Sequence, residues 1–229
     1  MLYRPNDHPL NWYQHEMSGS VELLDAYVTD IERQVAKGIA DYKANAKQIV
    51  VDEHLGDEAV RIVEVHNGLD DGTWHLPEIF EVYFPNLQRR SALITLYSFF
   101  EHELDKLCER LRKHENLKVK VTDMADTSVK RSVTYLGKVV GVDGNQQSHI
   151  WSEIQDIRQI RNLVVHSDGR LFDDAGTKKK KEDAIIAKTP LLDGMDEVLL
   201  KEGYLAYVLK TIDQYFKLIE KSIKAKYGA

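Results

Sequence analysis

Cysteine is almost absent from this chain of 229 residues, which has only Cys108. A single cysteine excludes a disulfide within the chain and any zinc site built from several cysteines. The chain also lacks an apolar run of the roughly 20 residues that a membrane-spanning helix needs. Its first ten residues contain Arg4, Asp7 and two prolines, a composition unlike that of a signal peptide. These absences predict a cytoplasmic protein that does not enter a membrane.

Motifs of several common enzyme classes are missing as well. The sequence has no glycine-rich phosphate loop, no Gly-x-Ser-x-Gly elbow and no His-Glu-x-x-His zinc motif. We therefore expect neither a metal ion nor a cofactor. The net charge of −6 argues against a broad basic surface that coats nucleic acid. A small basic site is compatible with it, because local potential and net charge are separate quantities.

Apolar residues at helical spacing dominate the rest of the chain and predict an all-α fold. We expect helices from Ser18 or Ser20 to about Ile49, from Asn86 past Leu111, from Thr127 to Val140, from about Gln146 to His166, and from Glu202 to about Ala225. We divide the chain into an N-terminal helical extension with a connecting segment, residues 1–85, and a helical bundle, residues 86–229. The connecting segment, from Val50 to Pro85, holds some short helix or strand. We expect Asp173 to Asp183 to form an exposed loop, and a small β-hairpin around Leu192-Asp193-Gly194 to precede the last helix.

One arginine stands out on the fourth predicted helix. Ile150, Ile154, Ile157, Arg161 and Val164 follow one another at steps of three and four, so Arg161 occupies an inward position. An arginine cannot lose its proton to escape burial and must find a carboxylate, reach solvent or line a cleft. On the second predicted helix, Glu101 lies among apolar residues on the core-facing side. We predict that Glu101 contacts Arg161, or Arg158 one turn earlier.

Two polar side chains follow Arg161 at the end of the same helix. Asn162 and His166 are four residues apart and share one helical face with Arg158. Arg161 and His166 are about 140° apart around the helix axis. They meet only if the helix loosens before His166, or if a second copy of the helix completes the site. A symmetric homodimer would provide that second copy.

The segment Arg161-Asn162-x-x-x-His166, followed by Gly169, resembles the arginine-x4–6-histidine motif of the HEPN family. The Ile154-x-x-Ile157-x-x-x-Arg161 frame and the earlier Glu101 helix resemble the layout of that family, from about Asn86 to the C-terminus. The resemblance implies an antiparallel HEPN-like bundle that dimerises so that two motifs face one cleft. Many HEPN proteins are metal-independent endoribonucleases that act as toxins or antiphage effectors. Asp168 stands where one toxin subgroup has a tyrosine, so regulation through a modified tyrosine is not expected.

In this interpretation Arg161 and His166 are catalytic and the substrate is RNA. Histidine titrates near neutral pH and suits proton transfer, whereas arginine binds phosphate through a fork of donors. Asn162 would orient the phosphate or the imidazole, and Glu101 would hold the arginine. Additional RNA contacts are expected from five cations, namely Arg158, Lys178, Lys179, Lys180 and Lys181. An antitoxin or regulatory partner fits a toxin role.

Structural explanations remain open for the same residues. Glu101 and Arg161 can form a buried ion pair that only joins two helices. His166 can stabilise the negative end of a helix dipole, and the lysine run can be a solvated loop. A non-catalytic HEPN module that binds nucleotide or RNA, or assembles with a partner, is the alternative function.

Overall fold

The structure, a computed structural model, describes residues 12–52, 60–126 and 128–228. It is mostly helical, at 69%, with small antiparallel sheets. The helices are α1 (Ser18–Asn45), α2 (Leu76–Glu78), α3 (Phe84–His114), α4 (Ser128–Tyr135), α5 (His149–Ser167), α6 (Lys180–Lys188) and α7 (Tyr204–Tyr227). The strands are β1 (Lys47–Asp52), β2 (Val60–His66), β3 (Leu69–Asp70), β4 (Leu192–Asp193) and β5 (Leu199–Leu200). π-Helical turns at Tyr13–Met17, Ile79–Tyr83 and Leu136–Val140 and a 3-10 turn at Val121–Asp123 complete the regular structure. The prediction of a mainly helical fold with a hairpin before the last helix is confirmed.

Helix α1 begins at Ser18, one of the two predicted starts, but it continues directly from the π-helical turn Tyr13–Met17. Helical backbone is already present at Trp12, so neither Ser18 nor Ser20 caps a free helix end. Instead the Ser18 hydroxyl donates to the carbonyl of Gln14, 2.9 Å away, as a serine inside a helix commonly does. The helix ends at Asn45, and Ile49, its predicted end, lies in β1.

The connecting segment contains a three-stranded antiparallel sheet in the order β1-β2-β3, which an all-α fold does not include. Between β2 and β3, Asn67 and Gly68 have φ angles of 48° and 80°. Two consecutive residues in the left-handed region form the tight turn that Asn-Gly favours in hairpins. Tyr42, Leu76 and Phe80 form a small separate cluster beside this sheet.

Helix α3 runs through the centre of the main core. It packs against α1, α4, α5 and α7, and most of its apolar side chains from Leu93 to Leu111 are completely buried. Trp12, Met17 and Val28 from the N-terminal region belong to the same core. The core therefore fixes α3 and α5 side by side, which brings Glu101 and Arg161 into reach of each other.

Between α5 and α7 the chain forms one short helix and two short strands. Asp168 ends the helix with a φ of 48° and Gly169 follows with a φ of 77°, which confirms the predicted stop at this position. The exposed loop predicted up to Asp183 is wrong in its second half, because α6 begins at Lys180.

Thr127, the predicted start of the third helix, lies outside the described residues. In the described part of the chain, none of the helices is long and apolar enough to cross a membrane.

Candidate functional site

The predicted contact between α3 and α5 is present. Arg161 Nη2 donates to Glu101 Oε2 over 2.8 Å. The side chains retain 18% and 23% of their exposure, so the pair is mostly but not fully buried. The second carboxylate oxygen of Glu101 accepts a hydrogen bond from the Ser128 hydroxyl at the start of α4. Glu101, on α3, thus accepts hydrogen bonds from Ser128 on α4 and from Arg161 on α5, and its carboxylate orients the Arg161 guanidinium.

Asn162 belongs to the same cluster. Its Oδ1 accepts a hydrogen bond from Arg161 Nη1 over 3.0 Å. The Arg161 guanidinium carbon lies 5.1 Å from the centre of the Tyr97 ring, within the range of a cation–π contact. One buried polar atom here, Arg161 Nε, has no hydrogen-bond partner among the described residues. Unpaired buried donors are uncommon, and they mark this cluster as a place where a water molecule or ligand atom would be stabilised.

The electrostatics of Tyr97 follow from this setting. Burial raises the pKa of Tyr97 well above its ordinary value, and the Glu101 carboxylate raises it further. The charges of Arg158 and Arg161 act in the opposite direction, which indicates that both cations lie near the phenol. Tyr97 therefore stays protonated at neutral pH and can only supply a neutral hydroxyl.

His166 lies apart from this cluster. It is exposed in the last turn of α5, and no hydrogen bond or ion pair of His166 is found among residues 12–52, 60–126 and 128–228. It lines an open concavity of about 550 Å³ together with Arg170, Phe172, Asp173 and Lys179. The structure thus brings together Glu101, Arg161 and Asn162, and leaves His166 at a separate, solvent-facing position.

The predicted RNA-binding cations have different surroundings. Lys178 Nζ lies 2.5 Å from Asp183 Oδ1, and Lys179 Nζ donates to the Arg170 carbonyl over 2.9 Å. Lys180 and Lys181 are at the first positions of α6, on its solvent side. Arg158 is partly exposed, one turn before Asn162. Lys179 therefore joins the His166 concavity, whereas Lys180 and Lys181 lie beside it.

Sequence reasoning missed Ser128 and Arg90. Ser128 supports Glu101 but is an ordinary serine that no pattern distinguishes. Arg90 is only 3% exposed and contacts the carbonyl of Asp168 at the end of α5. A signal for it existed, because Arg90, Leu93 and Tyr97 follow at steps of three and four, the same arrangement that singles out Arg161.

Among the described residues, no group of three or more histidine, cysteine, aspartate or glutamate side chains is arranged to hold a metal ion. A scan against protein-family models finds no matching family, and searches of curated proteins and of solved structures find no match.

Proposed function

We propose that this protein is an endoribonuclease of HEPN type that cleaves RNA without a metal ion. The observation that carries the proposal is the fixed position of Arg161, bound to Glu101 and Asn162, five residues before an exposed His166. A cation held in place and an accessible imidazole are the two groups that phosphodiester transesterification needs, and a second copy of the chain would bring them together.

Arg161 keeps donors for a phosphate. Its guanidinium has five N–H groups, and the hydrogen bonds to Glu101 and Asn162 engage one on each terminal nitrogen. Neither of these bonds uses the second N–H of each terminal nitrogen, and we infer that these two groups would bind phosphate oxygens. A guanidinium already oriented by a carboxylate loses little entropy when it binds, which favours stabilisation of charge that grows in the transition state.

His166 supplies the proton chemistry. The 2′-hydroxyl of one nucleotide attacks the adjacent phosphorus, and the bond from phosphorus to the 5′-oxygen of the next nucleotide breaks. The attacking hydroxyl gives its proton to a base, and the departing 5′-oxygen takes one from an acid. An imidazole suits either role near neutral pH. The products carry a 2′,3′-cyclic phosphate and a 5′-hydroxyl.

A homodimer would complete this site. Arg161 and His166 point about 140° apart around one helix, and α5 continues as a regular helix up to Ser167. A twofold axis beside the exposed side of α5 would place His166 of one copy near Arg161 of the other. We infer a toxin or antiphage effector as the biological role, with an antitoxin as a fitting partner.

A non-catalytic HEPN module that binds RNA or nucleotide is the second candidate. It is favoured by the mostly buried state of Arg161, whose charge is already balanced by Glu101. The net charge of −6 also fits a module that contacts one phosphate rather than a long strand.

Cleavage of total RNA in EDTA separates the two candidates. We expect the parent protein to degrade RNA, and His166→Ala to lose this activity by at least about 100-fold. His149→Ala is the matched control, because His149 is also on α5 and its side chain is 86% exposed, at the opposite end of the helix. It should cleave like the parent.

Equal cleavage by the parent and His166→Ala would overturn the assignment of His166. RNA binding without cleavage by any of the three proteins would favour the non-catalytic module.

A further inference from the structure

Arg90 on α3 is a buried cation with no part in the proposed chemistry. Its Nη2 donates to the carbonyl oxygen of Asp168. Its Nη1 lies 3.5 Å from Glu197 Oε2 and 3.7 Å from Asp168 Oδ1. An arginine keeps its charge when buried, so these contacts are needed to stabilise it in the core.

The carbonyl and carboxylate of Asp168, two of the groups that Arg90 contacts, lie at the end of α5, whereas Glu197 lies between β4 and β5. Asp168 has left-handed backbone and terminates the helix. The C-terminal carbonyls of a helix carry partial negative charge and lack partners within the helix, so a buried guanidinium is well suited to bind them. Arg90 therefore joins the last turn of α5 to the rigid centre of α3.

Gly169 makes the close approach of Arg90 feasible. A Cβ atom at this position would overlap the Arg90 guanidinium. The Gly169 carbonyl accepts a hydrogen bond from Val198 N over 2.9 Å, which holds this segment against the hairpin of β4 and β5. The end of α5 is thus enclosed by α3 on one side and by the hairpin on the other.

We propose that Arg90 is a positioning residue that fixes the place of His166, an inference that rests on the proposed function for its catalytic meaning. His166 lies two residues before Asp168, in the turn that Arg90 holds. Helix ends fray unless such groups tie them down. A catalytic group displaced by about 1 Å can lose on the order of 100-fold in rate.

The first test substitutes Arg90 and its neighbour in sequence. Arg90→Lys keeps the buried charge and loses the fork of donors, and Arg90→Gln removes the charge. Arg89→Gln is the control, because Arg89 Nη2 lies 2.6 Å from Glu32 Oε2 on α1 and its Nη1 donates to the Leu200 carbonyl on β5, so it binds groups other than Asp168 and Glu197. Both residues anchor α3, so loss of stability alone does not distinguish them.

A second pair of variants consists of one that should displace the Arg90 side chain without substituting it and one control. Gly169→Ala introduces the overlapping Cβ at a φ of 77°. Gly176→Ala introduces the same kind of backbone strain at a φ of 74°, with no atom of the described residues within 4 Å of the new Cβ. Only the first substitution should displace the guanidinium.

The readouts are the NMR chemical shift of the His166 ring C–H, assigned with His166→Ala, and the steady-state constants for RNA cleavage. We expect Arg90→Lys, Arg90→Gln and Gly169→Ala to shift the His166 signal and to lower kcat about 100-fold with little change in KM. Arg89→Gln and Gly176→Ala should leave both readouts like the parent.

An unchanged His166 signal in folded Arg90→Lys and Gly169→Ala would overturn the positioning role, whatever the nuclease assay shows. A parent protein that does not cleave RNA, together with a shifted His166 signal in these variants, would instead overturn the nuclease proposal. The structural link from Arg90 to His166 would then stand.

Discussion

Two arginines, Arg161 on α5 and Arg90 on α3, lie among apolar residues on the inner sides of their helices. Arg161 is recognisable because it interrupts a regular run of isoleucines, and its predicted contact with Glu101 is confirmed at 2.8 Å. Arg90 precedes Leu93 and Tyr97 in a similar stripe on α3 but was missed, because its partners, Asp168 and Glu197, are exposed carboxylates far away in sequence. A buried cation can be predicted from one helix, and its partner can be predicted only where a carboxylate also lies in an apolar stripe, as Glu101 does.

The ion pair between Glu101 and Arg161 should stabilise the fold as well as orient the arginine. Glu101→Ala leaves a mostly buried guanidinium without its carboxylate, so we expect the free energy of unfolding to fall by about 1–3 kcal/mol. The cleavage activity should fall with it. Urea unfolding and the RNA assay measure the two effects.

Glu109→Ala provides the comparison on the same helix. Glu109 pairs with Arg112 at 2.7 Å, but 40% of its side chain is exposed. Surface pairs of this kind contribute about 0–1 kcal/mol. If Glu101→Ala and Glu109→Ala unfold at the same urea concentration, the structural importance of the Glu101 pair is refuted.

At the scale of elements, helix periodicity is the most reliable guide. The long helices α3 and α7 and the end of α5 at Asp168 and Gly169 agree with the apolar spacing and the stop residues. The sheet of β1 to β3 could be foreseen only as some short helix or strand, although Asn67-Gly68 is a strong hairpin signal. The charge pattern is misleading at α6, because a run of lysines favours a loop while their aliphatic stems allow a helix.

The lysines at the start of α6 should contribute to RNA affinity through electrostatics alone. We expect the double variant Lys180→Gln/Lys181→Gln to reduce the slope of log affinity against log salt by about 0.7 for each phosphate that is no longer neutralised. Lys178 is engaged with Asp183 and should matter less. Fluorescence anisotropy with a single-stranded RNA at several salt concentrations measures this slope.

Lys118→Gln/Lys120→Gln is the matched control for charge. Both lysines are exposed, just beyond the C-terminal end of α3. Helix α3 is about 45 Å long. The contact of Arg90 with Asp168 places the His166 end of α5 near the N-terminal end of α3, far from Lys118 and Lys120. An equal change of slope in both double variants would show that net charge, not the α6 lysines, determines binding.

At the scale of the whole molecule, the sequence predicts that the fold is mainly helical, but apart from the contact of α3 with α5 it does not predict which helices pack against each other. Helix α1 contacts α3 and α7, and Trp12 packs edge-on against Phe216 at 5.4 Å. No local pattern reveals which distant helix a buried tryptophan contacts. The pairing of two copies along α5, by contrast, stays a prediction. It rests on the angle of about 140° between Arg161 and His166 around the helix axis, which keeps them apart within one copy.

We propose that this protein uses the 2′-hydroxyl of RNA as the nucleophile, with no metal ion. The most direct test of this proposal is cleavage, in EDTA, of an RNA oligonucleotide whose cut site has been mapped, beside the same oligonucleotide with a 2′-O-methyl group at that site. We expect cleavage of the unmodified strand to a 2′,3′-cyclic phosphate and a 5′-hydroxyl, and no cut at the modified site. Cleavage of the methylated site, or a requirement for added metal, would contradict the proposal.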